Sequence, residues 1–193
     1  MSSRSAAQVL SSLVLLATVL VAVPVVLSSP AQAALPSKAT WLSDVRTAMS
    51  GSRGYVDRRV ARGTHKPAVN LDIDNTSLAS HYDNGRAVAI VLRFARHARS
   101  QGVTLLFNTG RVRGGGRMVA VAALLKRAGY SVGEVCGRTS SREGLSHSKQ
   151  RCRARFANEG YTLIANVGNR STDFTGGGYG RAFRLPSYGS QLA

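Results

Sequence analysis

Beyond residue 66 the chain switches repeatedly between two hydrophobic periods. Short apolar, β-branched runs at residues 68–73, 103–108 and 162–167 predict buried strands. Between them, Val88, Val91, Leu92 and Ala95 keep the i, i+3, i+4, i+7 spacing of an amphipathic helix over residues 85–100, which Gly102 closes. Met118, Val121, Ala122 and Leu125 predict a second helix that Gly129 ends, and a third is expected over residues 149–158, stopping at Gly160. A short strand is expected at residues 131–136 and an edge strand at 182–185, before Pro186. Strands alternating with helices of this length predict an α/β fold, a parallel sheet with helices on both faces in three layers. Residues 34–66 carry Trp41, Leu42, Val45, Met49, Tyr55 and Val56 at loosely helical spacing, predicting one or two short N-terminal helices ahead of the domain at 67–193.

The first 33 residues follow a different pattern. After Arg4 comes an uncharged stretch, almost wholly apolar over residues 13–27, and then Ala31-Gln32-Ala33. A basic start, an apolar centre and small residues at cleavage spacing make a secretory signal peptide, with cutting expected after Ala33. The apolar part is shorter than the roughly 20 residues that span a bilayer, and Pro24 interrupts it. The expected location is therefore extracellular. The 193 residues leave room for one folded domain after that segment.

Charge narrows the partners. Lys and Arg number 26 against 9 Asp and Glu, a formal +17, and all but Arg4 of the basic residues lie beyond Ala33. Phosphate groups, nucleic acid or an anionic surface are favoured electrostatically, and a merely solvated basic surface is the plain alternative. Aromatic residues make up only 6%, too few for an obvious base-stacking platform, so nucleic-acid binding would be nonspecific. An oxidising compartment would let Cys136 and Cys152, 16 residues apart, close a disulfide; two buried thiols are the alternative. His65, His81, His97 and His147 are scattered without zinc spacing, so any metal must be held by oxygen.

In parallel sheets ligands bind outside the carboxyl ends of the strands. The first strand run ends in Asp72-Ile73-Asp74-Asn75-Thr76, where carboxylates need a cation, a partner or a turn to cap. The second ends in Thr109-Gly110-Arg111, a hydroxyl and a flexible amide able to hold a phosphoryl oxygen, and Lys149 follows as a base that could neutralise transferring charge. The last buried strand ends at Gly168-Asn169, shortly before Asp173.

These four segments, Asp72-Ile73-Asp74-Asn75-Thr76, Thr109-Gly110-Arg111, Lys149 and Gly168-Asn169-Arg170-Ser171-Thr172-Asp173, resemble the ordered motifs of the haloacid dehalogenase-like superfamily. Within it, the tail through Glu159-Gly160-Tyr161, Asn166-Val167-Gly168-Asn169, Asp173-Phe174 and Phe183-Arg184-Leu185-Pro186 resembles the secreted class B acid phosphatases related to plant vegetative storage proteins. The resemblance spans about residues 68–186 and implies a Rossmann-like domain that hydrolyses phosphate monoesters; an open cleft on so basic a chain would admit nucleotides or phosphorylated polymers. It implies Asp72 as nucleophile, Asp74 as general acid and then base, and Thr109, Gly110 and Lys149 as phosphate-binding groups. It also implies Mg²⁺ held by Asp72, Asp74, Asn169 and Asp173. The chain departs from the pattern in two ways. Asn169 stands where many members carry an acidic residue, which leaves open a weakly active or inactive protein that binds phosphorylated or anionic ligands. The interval from Asp74 to Thr109 is short, leaving residues 77–84 for a minimal cap and predicting an open site.

Overall fold

A computed structural model describes residues 34–192. The segment read as an export signal, residues 1–33, lies outside the described residues, as does Ala193. Two helices, α1 (Lys38–Ala48) and α2 (Ser52–Ala61), come first. They lead into β1 (Pro67–Leu71), α3 (Ala89–Ser100), β2 (Thr104–Val112), α4 (Arg117–Arg127), β3 (Glu134–Arg138), α5 (Leu145–Asn158), β4 (Thr162–Gly168) and β5 (Arg181–Arg184), with a 3₁₀ turn at Ser171–Asp173. None of the described helices is long and apolar enough to cross a membrane.

The five strands form one sheet in the order β3-β2-β1-β4-β5, and each neighbouring pair is parallel. Chain order reverses at β1, which sits between β2 and β4, so the crevice of such a sheet opens beyond the ends of β1 and β4. Alternate strand residues feed two apolar layers, as the two-residue side-chain period demands. Val69, Leu71, Leu105 and Phe107 pack with α1 to α4, while Ala68, Leu106 and Leu163 pack with Cys152 and Phe156 of α5. This is the three-layer, helix-covered parallel sheet that the hydrophobic periods predict.

The N-terminal helices are part of the larger layer. Trp41, Val45 and Val56 are fully buried in it, and Tyr55 donates a hydrogen bond to the Ile164 carbonyl of β4 at 3.0 Å.

Element ends differ from the periodic reading for local reasons. The helix expected from Gly85 starts at Ala89, because Gly85 has φ +76° and the preceding residues form turns that tuck Leu78 and Ala79 into the core. Leu78 bridges to both Asp74 and Ala87, so the expected minimal cap is a compact turn cluster over the ends of the strands. Helix α5 starts at Leu145, one turn before the expected Lys149, which places Lys149 inside the helix. Strand β2 continues to Val112, through Thr109 and Gly110, and β3 lies at Glu134–Arg138, shifted from residues 131–136.

Candidate active site

Asp72 is the first residue after β1, its backbone N–H bonded to the Val167 carbonyl of β4 at 2.9 Å and its carbonyl accepting from the Ser77 hydroxyl at 2.6 Å. Both contacts fix it over the crevice between β1 and β4. Its carboxylate is ion-paired to Lys149 Nζ, reached from α5 on the opposite face of the sheet. Lys149 Nζ also lies 2.7 Å from Asp173 Oδ1 and donates to the Asn108 carbonyl at 2.7 Å. Lys149, Asp72 and Asp173 are all buried, at 3%, 7% and 2% exposure, so two carboxylates share one ammonium away from bulk water.

Burial pushes Asp72 up to about 6; Lys149 pulls against that shift and the Asp173 charge adds to it. Burial alone would lower Lys149, but the two carboxylates more than offset it and hold the ammonium above its ordinary value.

Asp74 faces a different environment. Burial would raise its pKa, but a two-point contact with Arg111, Nε to Oδ2 at 3.0 Å and Nη2 to Oδ1 at 2.7 Å, and a hydrogen bond from Ser80 at 2.7 Å bring it below the usual carboxylate range. The two acidic residues of the first strand end are thus driven in opposite directions.

The remaining expected residues divide. Gly110 lines the cleft over the carboxylates, a space of about 270 Å³ that Asp72, Asp74, Arg111, Arg138, Lys149 and Thr172 also line. Gly110 has to be small, since a Cβ there would meet Leu145 Cδ2 at 2.9 Å. Thr109 is buried, and its hydroxyl accepts the Arg111 N–H at 3.2 Å. Asn169 is turned to other work: its Oδ1 takes the Thr76 hydroxyl at 3.3 Å and its Nδ2 donates to the Leu192 carbonyl at 3.0 Å. Neither Thr109 nor Asn169 lines the cleft. Cys136 and Cys152 are joined in a disulfide, Cα atoms 5.7 Å apart, tying β3 to α5 one turn beyond Lys149.

Among the described residues, no cluster of three or more His, Cys, Asp or Glu side chains forms a metal site. The donor set that fits a hard divalent cation is the pair Asp72 and Asp173. Asp173 Oδ1 accepts no well-aligned hydrogen bond, although Lys149 Nζ is 2.7 Å away, while its Oδ2 accepts the Arg170 N–H at 2.9 Å.

Several structural partners of the site carry no motif. Asn70, Asn108 and Asn166 are buried just before the ends of β1, β2 and β4. Asn70 donates to Asn166, Asn166 donates to the Asp173 carbonyl at 2.9 Å, and Asn108 donates to the Lys149 carbonyl at 2.8 Å. Arg153, 2% exposed, clamps the next turn through the carbonyls of Asp173 and Gly177, both at 2.7 Å. A lone asparagine at paired positions in the apolar runs of β1 and β4 is the signal that would have found Asn70 and Asn166, because a buried amide needs a specific partner.

Against this geometry, a family model described as HAD superfamily, subfamily IIIB (acid phosphatase) matches residues 81–191, more than half of the chain. The chain belongs to that family. No curated protein sequence matches it. The subfamily IIIB match includes Thr109, Lys149, Asn169 and Asp173 and begins after Asp72 and Asp74. What joins the two aspartates to the subfamily IIIB region is the ion-paired cluster itself, in which Lys149 and Asp173 close on Asp72. A subfamily IIIB acid phosphatase acts on phosphate monoesters, and the cleft places carboxylates beneath a rim of Arg111, Arg138 and Arg170 suited to such anions.

Proposed function

We propose that the protein is a secreted, Mg²⁺-dependent acid phosphatase that works through an aspartyl phosphate on Asp72. The buried Asp72, Lys149 and Asp173 cluster carries this reading. Asp72 attacks phosphorus, the bond from phosphorus to the leaving oxygen breaks, and Asp74 delivers a proton to that oxygen. Asp74 then takes a proton from the water that attacks the acyl phosphate, releasing inorganic phosphate and restoring the Asp72 carboxylate. Lys149 and the Gly110 backbone face the phosphoryl oxygens, and Thr172 Oγ1, buried in the cleft lining without a partner, is free to donate to one of them. Asp72 and Asp173 would hold Mg²⁺, which when bound offsets negative charge on the phosphoryl group. Thr109 supports the Arg111 backbone and so acts behind the phosphate site. The open, arginine-rimmed cleft suits nucleotides among its substrates. Residues 1–33 supply the export signal.

Arg111 has to leave Asp74 before Asp74 can hold a proton. An incoming phosphate dianion competes for the same guanidinium, so substrate binding itself prepares the acid. The test is hydrolysis of an aryl phosphate between pH 4 and 8, with Mg²⁺ and with a chelator, beside Asp72→Asn. Activity that needs both the metal and Asp72 is the expected result. Activity surviving in Asp72→Asn overturns the nucleophile, and no activity in a folded sample favours a phosphate-binding protein that does not turn over.

A further inference from the structure

A second cleft, about 590 Å³ in volume, lies where the turn between α1 and α2 meets α3. It shares no lining residue with the cleft over the carboxylates. Arg46, Arg53 and Arg93 line it from three different helices, and none of the three has a hydrogen-bond or ion-pair partner among the described residues. Its one carboxylate, Asp57, is taken by His97 at 2.6 Å. Three exposed guanidiniums without partners around one concavity favour an anion there.

Two further features face the same space. Helix α2 begins there with Gly51 at φ +70° and no side-chain cap; the Ser52 N–H goes to the Met49 carbonyl at 3.2 Å, which leaves the N–H groups of Arg53 and Gly54 to an acceptor. Ser52 is 4% exposed, lines the cleft, and its hydroxyl has no partner among the described residues. A hydroxyl that meets solvent in the cleft and has no protein partner is a group that a ligand can engage in place of water. The floor is apolar, built from Met49, Ile90 and Phe94. The volume falls in the range of small-molecule sites.

We propose that this cleft is a second anion site that binds a small organic phosphate, its phosphate on Ser52, the start of α2 and the three arginines, its carbon skeleton on Met49 and Ile90. The site is independent of the hydrolytic reaction and would act on it only through occupancy.

Methylenediphosphonate, a bisphosphate mimic that phosphatases do not cleave, is the probe, titrated in the presence of a chelator and followed by amide NMR. The expected result is saturable shifts at Arg53 and Gly54, separate from any at Gly110 and Lys149. Charge-assisted contacts contribute roughly tenfold each, so Arg53→Ala/Arg93→Ala should weaken the α2 response about 100-fold and leave the response at Gly110 in place. The control is Arg58→Ala/Arg62→Ala, which removes the same charge from α2 and its end outside the cleft and should leave the affinity unchanged. Shifts confined to Gly110 and Lys149, or an equal loss in the control variant, would overturn the proposal.

Discussion

Lys149 neutralises two buried carboxylates at once, and the cost of losing it sets the energy scale of the site. Removing one partner of a buried ion pair typically costs about 3–5 kcal/mol, because the remaining charge is left without compensation. Lys149→Met should therefore destabilise the fold by about that amount in urea denaturation. The gap should widen as pH rises past about 6, since the wild-type Asp72 then ionises beside its ammonium while the variant's carboxyl, raised further by the loss of Lys149, stays protonated and keeps losing stability relative to the unfolded chain. A pH-independent loss would mean that Lys149 does not set the ionisation of Asp72. Arg111 has the opposite sense for Asp74, which it holds below the ordinary range. In Arg111→Ala burial is opposed only by Ser80 and the Lys149 charge, so Asp74 should titrate higher and the alkaline limb of the activity profile should move to higher pH, with a rise in KM from the lost cleft lining. An unmoved limb would remove Asp74 from the acid role. Carboxylates at a strand end mark Asp72 and Asp74 as residues that need a partner, but their roles and that of Lys149 are legible only through the resemblance of the four ordered motifs. Arg111 sits in the second motif, but its contact with Asp74 has no signal in the sequence, and neither do the contacts of the Asn169 amide with Thr76 and the Leu192 carbonyl.

The elements were easier to read than their ends. Periods of two and 3.6 residues place every strand and helix of the sheet region, because each period follows from which face is buried. Ends follow backbone geometry instead: Gly85 at φ +76° precedes the late start of α3, and Glu143 ties the loop before α5 to the helix. Glu143 accepts the Thr139 backbone N–H and hydroxyl and pairs with Arg151 at 2.8 Å, fixing the first turn of the helix that carries Lys149. The Arg151 hydrogen bond is the main influence that lowers Glu143 to about 2 from an ordinary 4.5. A carboxyl lowered on folding contributes stability above its unfolded value and loses it as pH falls through its folded value. Glu143→Gln should thus be less stable than wild type at pH 5 to 7, with the two converging near pH 2 in thermal unfolding. Parallel curves across that range would show the contact to be structurally idle. The Cys136 and Cys152 bridge, closing a 16-residue separation beside the same loop, should contribute about 3 kcal/mol, read as the shift in urea midpoint on replacing both cysteines by alanine.

For the whole molecule, the open matter in the sequence was whether residues 34–66 stand apart from the sheet domain. Their weak helical pattern could not show it, since a short amphipathic helix reads the same whether it lies on its own domain or on the solvent side of another. The structure gives them a share of the main core: Trp41 is fully buried, stacked on Tyr82 at 4.7 Å between ring centroids, and Tyr55 meets Phe183 of the edge strand edge-on. Residues 34–193 form one compact unit. Trp41 is the sole tryptophan, so its fluorescence reports the N-terminal helices while far-UV circular dichroism reports the whole. If the helices and the sheet share one core, the two signals should change together in a single urea transition, as two-state unfolding requires. Trp41→Ala should then destabilise the entire protein by about 3–5 kcal/mol, the usual cost of emptying a large buried aromatic site, and lower its midpoint by circular dichroism accordingly. An early fluorescence transition, with helical and strand signal persisting beyond it, would instead make α1 and α2 a separable layer. The cleft between α2 and α3 would then open before the phosphate site does, and a bisphosphate that filled it should pull the two transitions back together.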